Sequence, residues 1–381
     1  MMRIGLISGE YPPQHGGVGD YTRRLGQALA EAGHEVFVLA GPTAREDDTR
    51  LTLDRVSGWK LNAGKLADTW AKRRQIDVVN LQFQTAAYSM SPWVHFLPGR
   101  VQSAPVVVTF HDLRFPYLFP KAGPLRPWIV RHLAASADGV IATNPEDYEH
   151  LCAVPHAAMI PIGSNIQSQD APESSASIRS RFGVEPDEPL IVYFGLFNRS
   201  KGLDQLVDAF KALRESGTAA RLVLIGSAGS SDPTNQAYEA EIRARVESAE
   251  LNQAVRFTGF LPDTDVDALL HTADIVALPF LDGASMRRGS LMAALRAGCA
   301  IVTTTPAVAT PGFTDGKTMR LVPPGDSTAL TGALDQLIGD ASFREQLQTG
   351  ARALATQFEW PAIANSVTDF LQQVVAESRG P

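Results

Sequence analysis

Cysteine is nearly absent from this chain: Cys152 and Cys299 are the only two among 381 residues, and neither stands in a CxxC or other metal-ligand spacing. That argues against a disulfide-stapled scaffold and against structural zinc, and makes a reducing cytoplasm the expected compartment. Long apolar runs are missing too. None reaches the roughly 18 residues that a membrane span requires, and the strand that begins at Arg3 is too short for a signal-peptide core. Basic tracts and aromatic-plus-basic repeats are lacking as well, so no nucleic-acid partner is expected.

What is present is a globular composition. Apolar residues make up 44% and charged residues 20%, enough for sizeable cores, and the length suggests two or three domains of about 150 residues each. The net charge of −7 is unevenly spread. Residues 1–165 hold 16 Lys+Arg against 15 Asp+Glu and seven of the eight histidines, which leaves 18 against 26 for the rest. A near-neutral first half suits an approach to phosphates or to an anionic surface, and solvated faces explain it equally well.

Continuous β-rich apolar runs recur with helical segments between them, at 36–40, 78–83, 106–110 and 139–142. After the polar stretch NIQSQDAPESSAS they resume at 190–194, 222–225, 255–258, 275–278 and 300–304. Runs of this kind are parallel strands covered on both faces. The sequence therefore predicts an α/β chain of two Rossmann-like, doubly wound domains, 1–165 and 188–357, with 166–187 as the linker. A final amphipathic helix is expected over 358–381, with Trp360, Ile363, Val367, Phe370, Leu371 and Val374 at helical spacing. Ligands of open α/β sheets bind beyond the carboxyl ends of the strands. The two domains are expected to face each other across a cleft there.

The densest stretch is residues 3–33, with a short strand, a loop bearing Gly16, Gly17 and Gly19, and a helix closing at Gly33. Glycine lets backbone N–H groups approach a ligand, and a helix N-terminus favours negative charge, so the loop is a candidate phosphate cradle. GGVG is not the GxGxxG of a dinucleotide fold, and a flexible turn feeding a helix fits the same residues. In the second half, YFGLFNRSKGLDQLVDAF sets Arg199 and Lys201 on a short loop between a strand and a helix, where they can neutralise a diphosphate. Arg287, Arg288, Gly289 and Ser290 repeat that design before a later helix. The strand VVVTF ends at His111, expected to bond a hydroxyl or to stabilise developing charge.

Two further features are read more plainly. Asp263, Thr264 and Asp265 spell a metal-holding DxD, but Asp263 sits where a helix N-cap is expected, and capping is the reading adopted. Lys72, Arg73 and Arg74, and separately Arg126, Trp128, Arg131 and His132, are weighed as contacts to anionic headgroups; solvated helix faces are the commoner explanation.

In order, YPPQHGGVGDY, TFHD, NRSKGLD, VRFTGFLP, ADIVALPF with its following loop, and a closing helix after FEW span nearly the whole chain. Together they resemble a family 4 glycosyltransferase of the GT-B type. The resemblance implies transfer of a sugar from a nucleoside diphosphate sugar to a hydroxyl acceptor, with retention of configuration, no bound metal and no cofactor beyond the sugar nucleotide as co-substrate. It implies that Gly16, Gly17 and Gly19 approach the donor phosphates or the acceptor, that His111 contacts the donor sugar, and that Lys201 binds the diphosphate. Arg199, Arg287, Arg288, Gly289 and Ser290 would complete that diphosphate site. Gly226, Gly259, Phe260 and Leu261 would border the nucleoside. The closing helix, 358–381, would cross back to the first, acceptor-side domain. The acceptor would be a saccharide, a lipid-linked molecule or a small molecule; a cytoplasmic location is expected, with peripheral membrane contact left open.

The chain also departs from the family pattern. Leu196 stands where many members have arginine, and the two glutamates usually eight positions apart fall at Ser285 and Ala293. Asp282 and Ser285 are the remaining candidates for a sugar contact. A nucleotide-sugar-binding protein that has lost catalysis, or a nucleotide-sugar epimerase, are the alternatives those losses leave.

Overall fold

The computed structural model describes residues 1–14, 16–113, 125–164, 166, 174–228 and 233–378. The chain divides into two compact units, Met1–Asn165 with Glu359–Pro381, and Ile166–Phe358.

In the first unit the strands are β1 (Arg3–Ser8), β2 (Glu35–Ala40), β3 (Leu51–Arg55), β4 (Val78–Phe83), β5 (Val106–Phe110), β6 (Gly139–Ala142) and β7 (Ala157–Met159). They form one parallel sheet in the order β3-β2-β1-β4-β5-β6-β7. Side chains alternate across a strand. Ile4 and Leu6 of β1 thus join a core with Leu25 and Leu29 of the helix Gly17–Glu31 and with Ile363, Val367, Phe370 and Leu371 of the helix Trp360–Ser378. Ile7 faces the opposite core, with Trp70, Phe83 and Leu133. Trp360 ties the final helix down by donating its Nε1–H to the Ser164 carbonyl at 2.9 Å.

The second unit repeats the plan with β8 (Leu190–Phe194), β9 (Arg221–Ile225), β10 (Val255–Gly259), β11 (Ile275–Leu278), β12 (Ile301–Thr304) and β13 (Arg320–Val322). Their order is β10-β9-β8-β11-β12-β13, again all parallel. In each sheet the chain winds outward to one edge and then returns to the other side of its first strand. The order reverses between β1 and β4 and between β8 and β11, and such reversal points are where open α/β sheets hold ligands.

Three differences from the sequence reading follow from packing. Part of the expected linker is a built element: the helix Ser175–Arg181 packs on the helix Asp263–Thr272, with Arg181 paired to Asp265 at 2.9 Å and Arg179 to Asp274 at 2.7 Å. Residues 167–173 of that linker lie outside the described residues. Asp263 is the first helical residue rather than a cap, because Pro262 takes the preceding position and no side chain caps that end. Of the basic cluster 72–74, Arg73 and Arg74 bind Asp54 at 3.1 and 2.8 Å. Trp128 is exposed and stacks on His132, while the side chain of Arg126 lies outside the described residues. No helix among the described residues is long and apolar enough to cross a membrane.

Candidate active site

At the reversal point of the second sheet, the loops after β8 and β11 are joined. Leu281 N–H donates to the Ser200 carbonyl at 2.9 Å. Gly202, with φ 66°, comes so close to β11's trailing loop that a Cβ there would lie 2.1 Å from the Pro279 carbonyl oxygen. Only glycine accepts both the left-handed backbone and that approach. The turn Arg199–Lys201 is thereby pressed against Phe280, and the Lys201 ammonium lies 5.1 Å from the centre of the Phe280 ring. Arg288 covers the same ring at 4.9 Å and pairs with Asp282. Burial, then the neighbouring Arg288 charge, bring the Lys201 pKa down to about 8, with Asp282 opposing the shift. The Arg288 Nε–H is buried without an acceptor among the described residues.

The structure brings together only part of the expected diphosphate set. Lys201 and Arg288 share one aromatic platform. Arg199 does not join them: it pairs with Glu241 at 2.6 Å and lies over Tyr238 on the helix Pro233–Ser248. Gly289 and Ser290 open the helix Gly289–Arg296, whose N-terminus has no side-chain cap, and Arg287 precedes them with its N–H toward Ser285 Oγ at 3.4 Å. Ser290 Oγ approaches Gly195, lying 3.7 Å from where a Cβ on that glycine would be. Asp282, considered as a sugar contact, has its carboxylate turned to Arg288. Ser285 is half-buried and Ala293 is buried, and neither residue is a carboxylate.

The carboxyl ends of β8, β9 and β10 meet through glycines. Gly195 N–H donates to Ile225 O and Gly226 N–H to Gly259 O, both at 3.0 Å, and a Cβ on Gly226 would strike the Gly195 carbonyl at 2.0 Å. Gly259 borders open space; Phe260 beside it is 85% exposed, and Leu261 is partly buried. Backbone without a side chain, beside an uncovered aromatic ring, is a surface on which a nucleobase can lie.

In the first unit, the glycine loop after β1 has already acquired an anion. The Glu10 carboxylate accepts from Val18 N–H at 2.9 Å and Gly19 N–H at 3.3 Å, at the start of the helix Gly17–Glu31. A Cβ on Gly16 would lie 2.3 Å from the Glu10 carboxyl carbon, and one on Gly19 would lie 3.0 Å from Tyr11 Cα. Gly16 and Gly19 thus make room for the chain itself, and only Gly17 faces open space. His15 of the same loop lies outside the described residues.

His111 directly follows β5, held by its N–H to Phe83 O at 3.0 Å. Its ring meets Tyr21 edge-on at 4.6 Å, and its Nε2 lies 2.9 Å from Gln82 Oε1. Burial brings its pKa down to about 3, so the ring is neutral near pH 7. Gln82, Phe280 and Glu10 are the residues that sequence reasoning missed.

The two sheets are those of a GT-B glycosyltransferase: sucrose-phosphate synthase from Thermosynechococcus elongatus superposes with a TM-score of 0.76 at 22% identity, covering 99% of this chain and 100% of that one. Residues 16–157 match the glycosyl transferase 4-like domain and residues 174–354 match glycosyl transferases group 1, so the chain belongs to the family 4 glycosyltransferases. Among its relatives is the phosphatidyl-myo-inositol mannosyltransferase of Mycobacterium leprae, 25% identical over 383 residues, 96% of this chain and 95% of that protein. A GDP-mannose-dependent alpha-(1-6)-phosphatidylinositol dimannoside mannosyltransferase of Mycobacterium tuberculosis is 26% identical over 299 residues, 73% of each chain.

Proposed function

We propose that this glycosyltransferase moves a sugar from a nucleoside diphosphate sugar to a hydroxyl acceptor with retention of configuration and without a bound metal. The observation that carries the reading is the pair of cations, Lys201 and Arg288, gathered over Phe280 at the point where the second sheet reverses. Asp282 pairs with Arg288 and offsets part of this charge, yet Lys201 is still held below its ordinary pKa, so the pair remains short of negative charge. A diphosphate supplies the rest, and charge building on it as the glycosidic bond breaks is what the pair stabilises most. Ser290 and the uncapped start of the helix Gly289–Arg296 add hydrogen-bond donors, and Gly226, Gly259, Phe260 and Leu261 receive the nucleoside. His111, with Gly17, serves the sugar and acceptor end. Attack on the face the diphosphate leaves, assisted by the leaving group itself, gives retention without a covalent intermediate. The sugar nucleotide is a co-substrate, and no resident cofactor takes part.

The GDP-mannose-dependent relative supports a sugar nucleotide as donor, and the phosphatidylinositol relatives favour a lipid-linked acceptor over a free saccharide or small molecule. A lipid-linked acceptor brings a cytoplasmic enzyme to a membrane surface, with the exposed Trp93 and Trp128 as the candidate contacts. The test is a thermal-shift screen with UDP, GDP, ADP and their sugars, followed by NMR of the product anomer. Stabilisation by one nucleotide series and a product of unchanged anomeric configuration are expected. An inverted product, or stabilisation by none, overturns the reading.

A further inference from the structure

Strand β4 is buried along its whole length, yet it carries Asn80 and Gln82, each 0% exposed. Two residues apart on a strand, they share a face. Buried amides are hydrogen-bonded, and here the direction of every bond is set from one end. The Val107 carbonyl can only accept, so the Asn80 atom 3.3 Å from it is the donor Nδ2, which also reaches Thr109 Oγ1 at 2.9 Å. Asn80 Oδ1 is then the acceptor for Gln82 Nε2. Gln82 Oε1 is left toward His111, 2.9 Å from Nε2. An amide oxygen accepts, so Nε2 carries the proton. Nδ1 is a bare lone pair, and nothing among the described residues donates to it. Tyr21 is the titratable side chain packed on the ring, its hydroxyl buried and unpartnered, and Asp112 follows in the chain.

We propose that Gln82 is a positioning residue: through the relay Val107 to Asn80 to Gln82 it locks His111 as the neutral Nε2–H tautomer, presenting Nδ1 as an acceptor for a substrate hydroxyl. The identity of the hydroxyl rests on the glycosyltransferase reading; the tautomer does not. Imidazolium has no such lone pair and cannot accept. Burial of the ring keeps it neutral in the working range.

The first experiment is a two-bond proton–nitrogen correlation spectrum of the full chain labelled with 15N-histidine, with His111 assigned by its loss in His111→Asn. Expected is a bare Nδ1 and a protonated Nε2 between about pH 5 and 8; a protonated Nδ1 overturns the proposal, whatever the enzyme turns over. The second is the pH profile of donor turnover. Gln82→Glu, once ionised, still accepts from Nε2 but no longer donates to Asn80 Oδ1 and favours imidazolium, so an acidic limb absent from the wild type is expected, with a loss on the order of tenfold or more at its low end. An unchanged profile in folded Gln82→Glu overturns the proposal. Gln82→Met keeps the volume and releases the lock, so its spectrum shows mixed tautomers if the relay sets them and a single unchanged tautomer if it does not. Whether donor or acceptor KM rises in that variant tells whose hydroxyl Nδ1 receives.

Discussion

A lysine ammonium beside a guanidinium and partly withdrawn from water gives up its proton more readily than a free one. Lys201, at about pKa 8, is therefore half-charged in mildly alkaline solution. A bound diphosphate holds the proton on, so nucleoside diphosphate affinity measured by calorimetry should weaken as pH rises from 7 to 9 in the wild type, and Lys201→Met should remove that dependence. The same variant should lower donor turnover by about 10- to 150-fold, as loss of a hydrogen bond to a charged group worth ~1.5–3 kcal/mol predicts. Stability runs in the opposite sense. Between about 8 and the ordinary lysine value the unfolded chain binds more protons at this site than the folded one, so this residue's contribution to stability rises with pH across that window. Buried histidines set the acid side. His95 at about 4 and His111 at about 3 stay neutral in the fold while an unfolded histidine charges near 6.5. Lowering the pH from 7 to 5 should reduce the urea midpoint, a loss that His95→Phe lessens.

Elements show what was readable and what was not. The interior strands β4, β5, β6, β8 and β11 are buried almost throughout, and their limits were legible as runs rich in Val, Ile and Leu. Strands β3, β7 and β13 lie at sheet edges, pair on one side only and read LTLDR, AAM and RLV, too short and too polar to stand out. Reading 78–83 as one apolar run passed over Asn80 and Gln82. The signal was there: two amides at period two inside a buried strand demand partners. The aromatic platform was not legible, because Phe280 meets Lys201 only through the approach that Gly202 permits. The glycine loop was legible as a loop, but not that Glu10 folds back into it. Those glycines give a matched pair of tests. Gly16→Ala drives a methyl into the Glu10 carboxylate and should cost about 1–2 kcal/mol in urea unfolding, comparable to a lost helix cap. Gly17→Ala meets nothing within 4 Å and should leave stability within about 0.5 kcal/mol.

At the scale of the whole molecule, the two-domain plan came directly from the two series of strand runs, while the second unit's start did not. The polar stretch that reads as a spacer ends in a short helix held by Arg179 and Arg181, long-range ion pairs that no local pattern announces. The residues proposed to bind the diphosphate, Lys201, Arg288 and Ser290, lie within residues 166–358. That fragment, produced alone, should bind nucleoside diphosphate, and Lys201→Met should weaken binding there as in the full chain. Deleting 359–381 should do the reverse: it strips Ile363, Val367, Phe370 and Leu371 from the first core, so the first unit should lose its cooperative unfolding transition while the second keeps its own.

The first unit is also interrupted in time. Its closing helix, Trp360–Ser378, is specified only after the second unit has been read through, about 190 residues later, and at 5–20 residues per second the ribosome needs about 10–40 s for that interval. For that long the flank of the helix Gly17–Glu31 and the part of the sheet that the closing helix covers stand exposed. The half that is synthesised first is the half that is finished last.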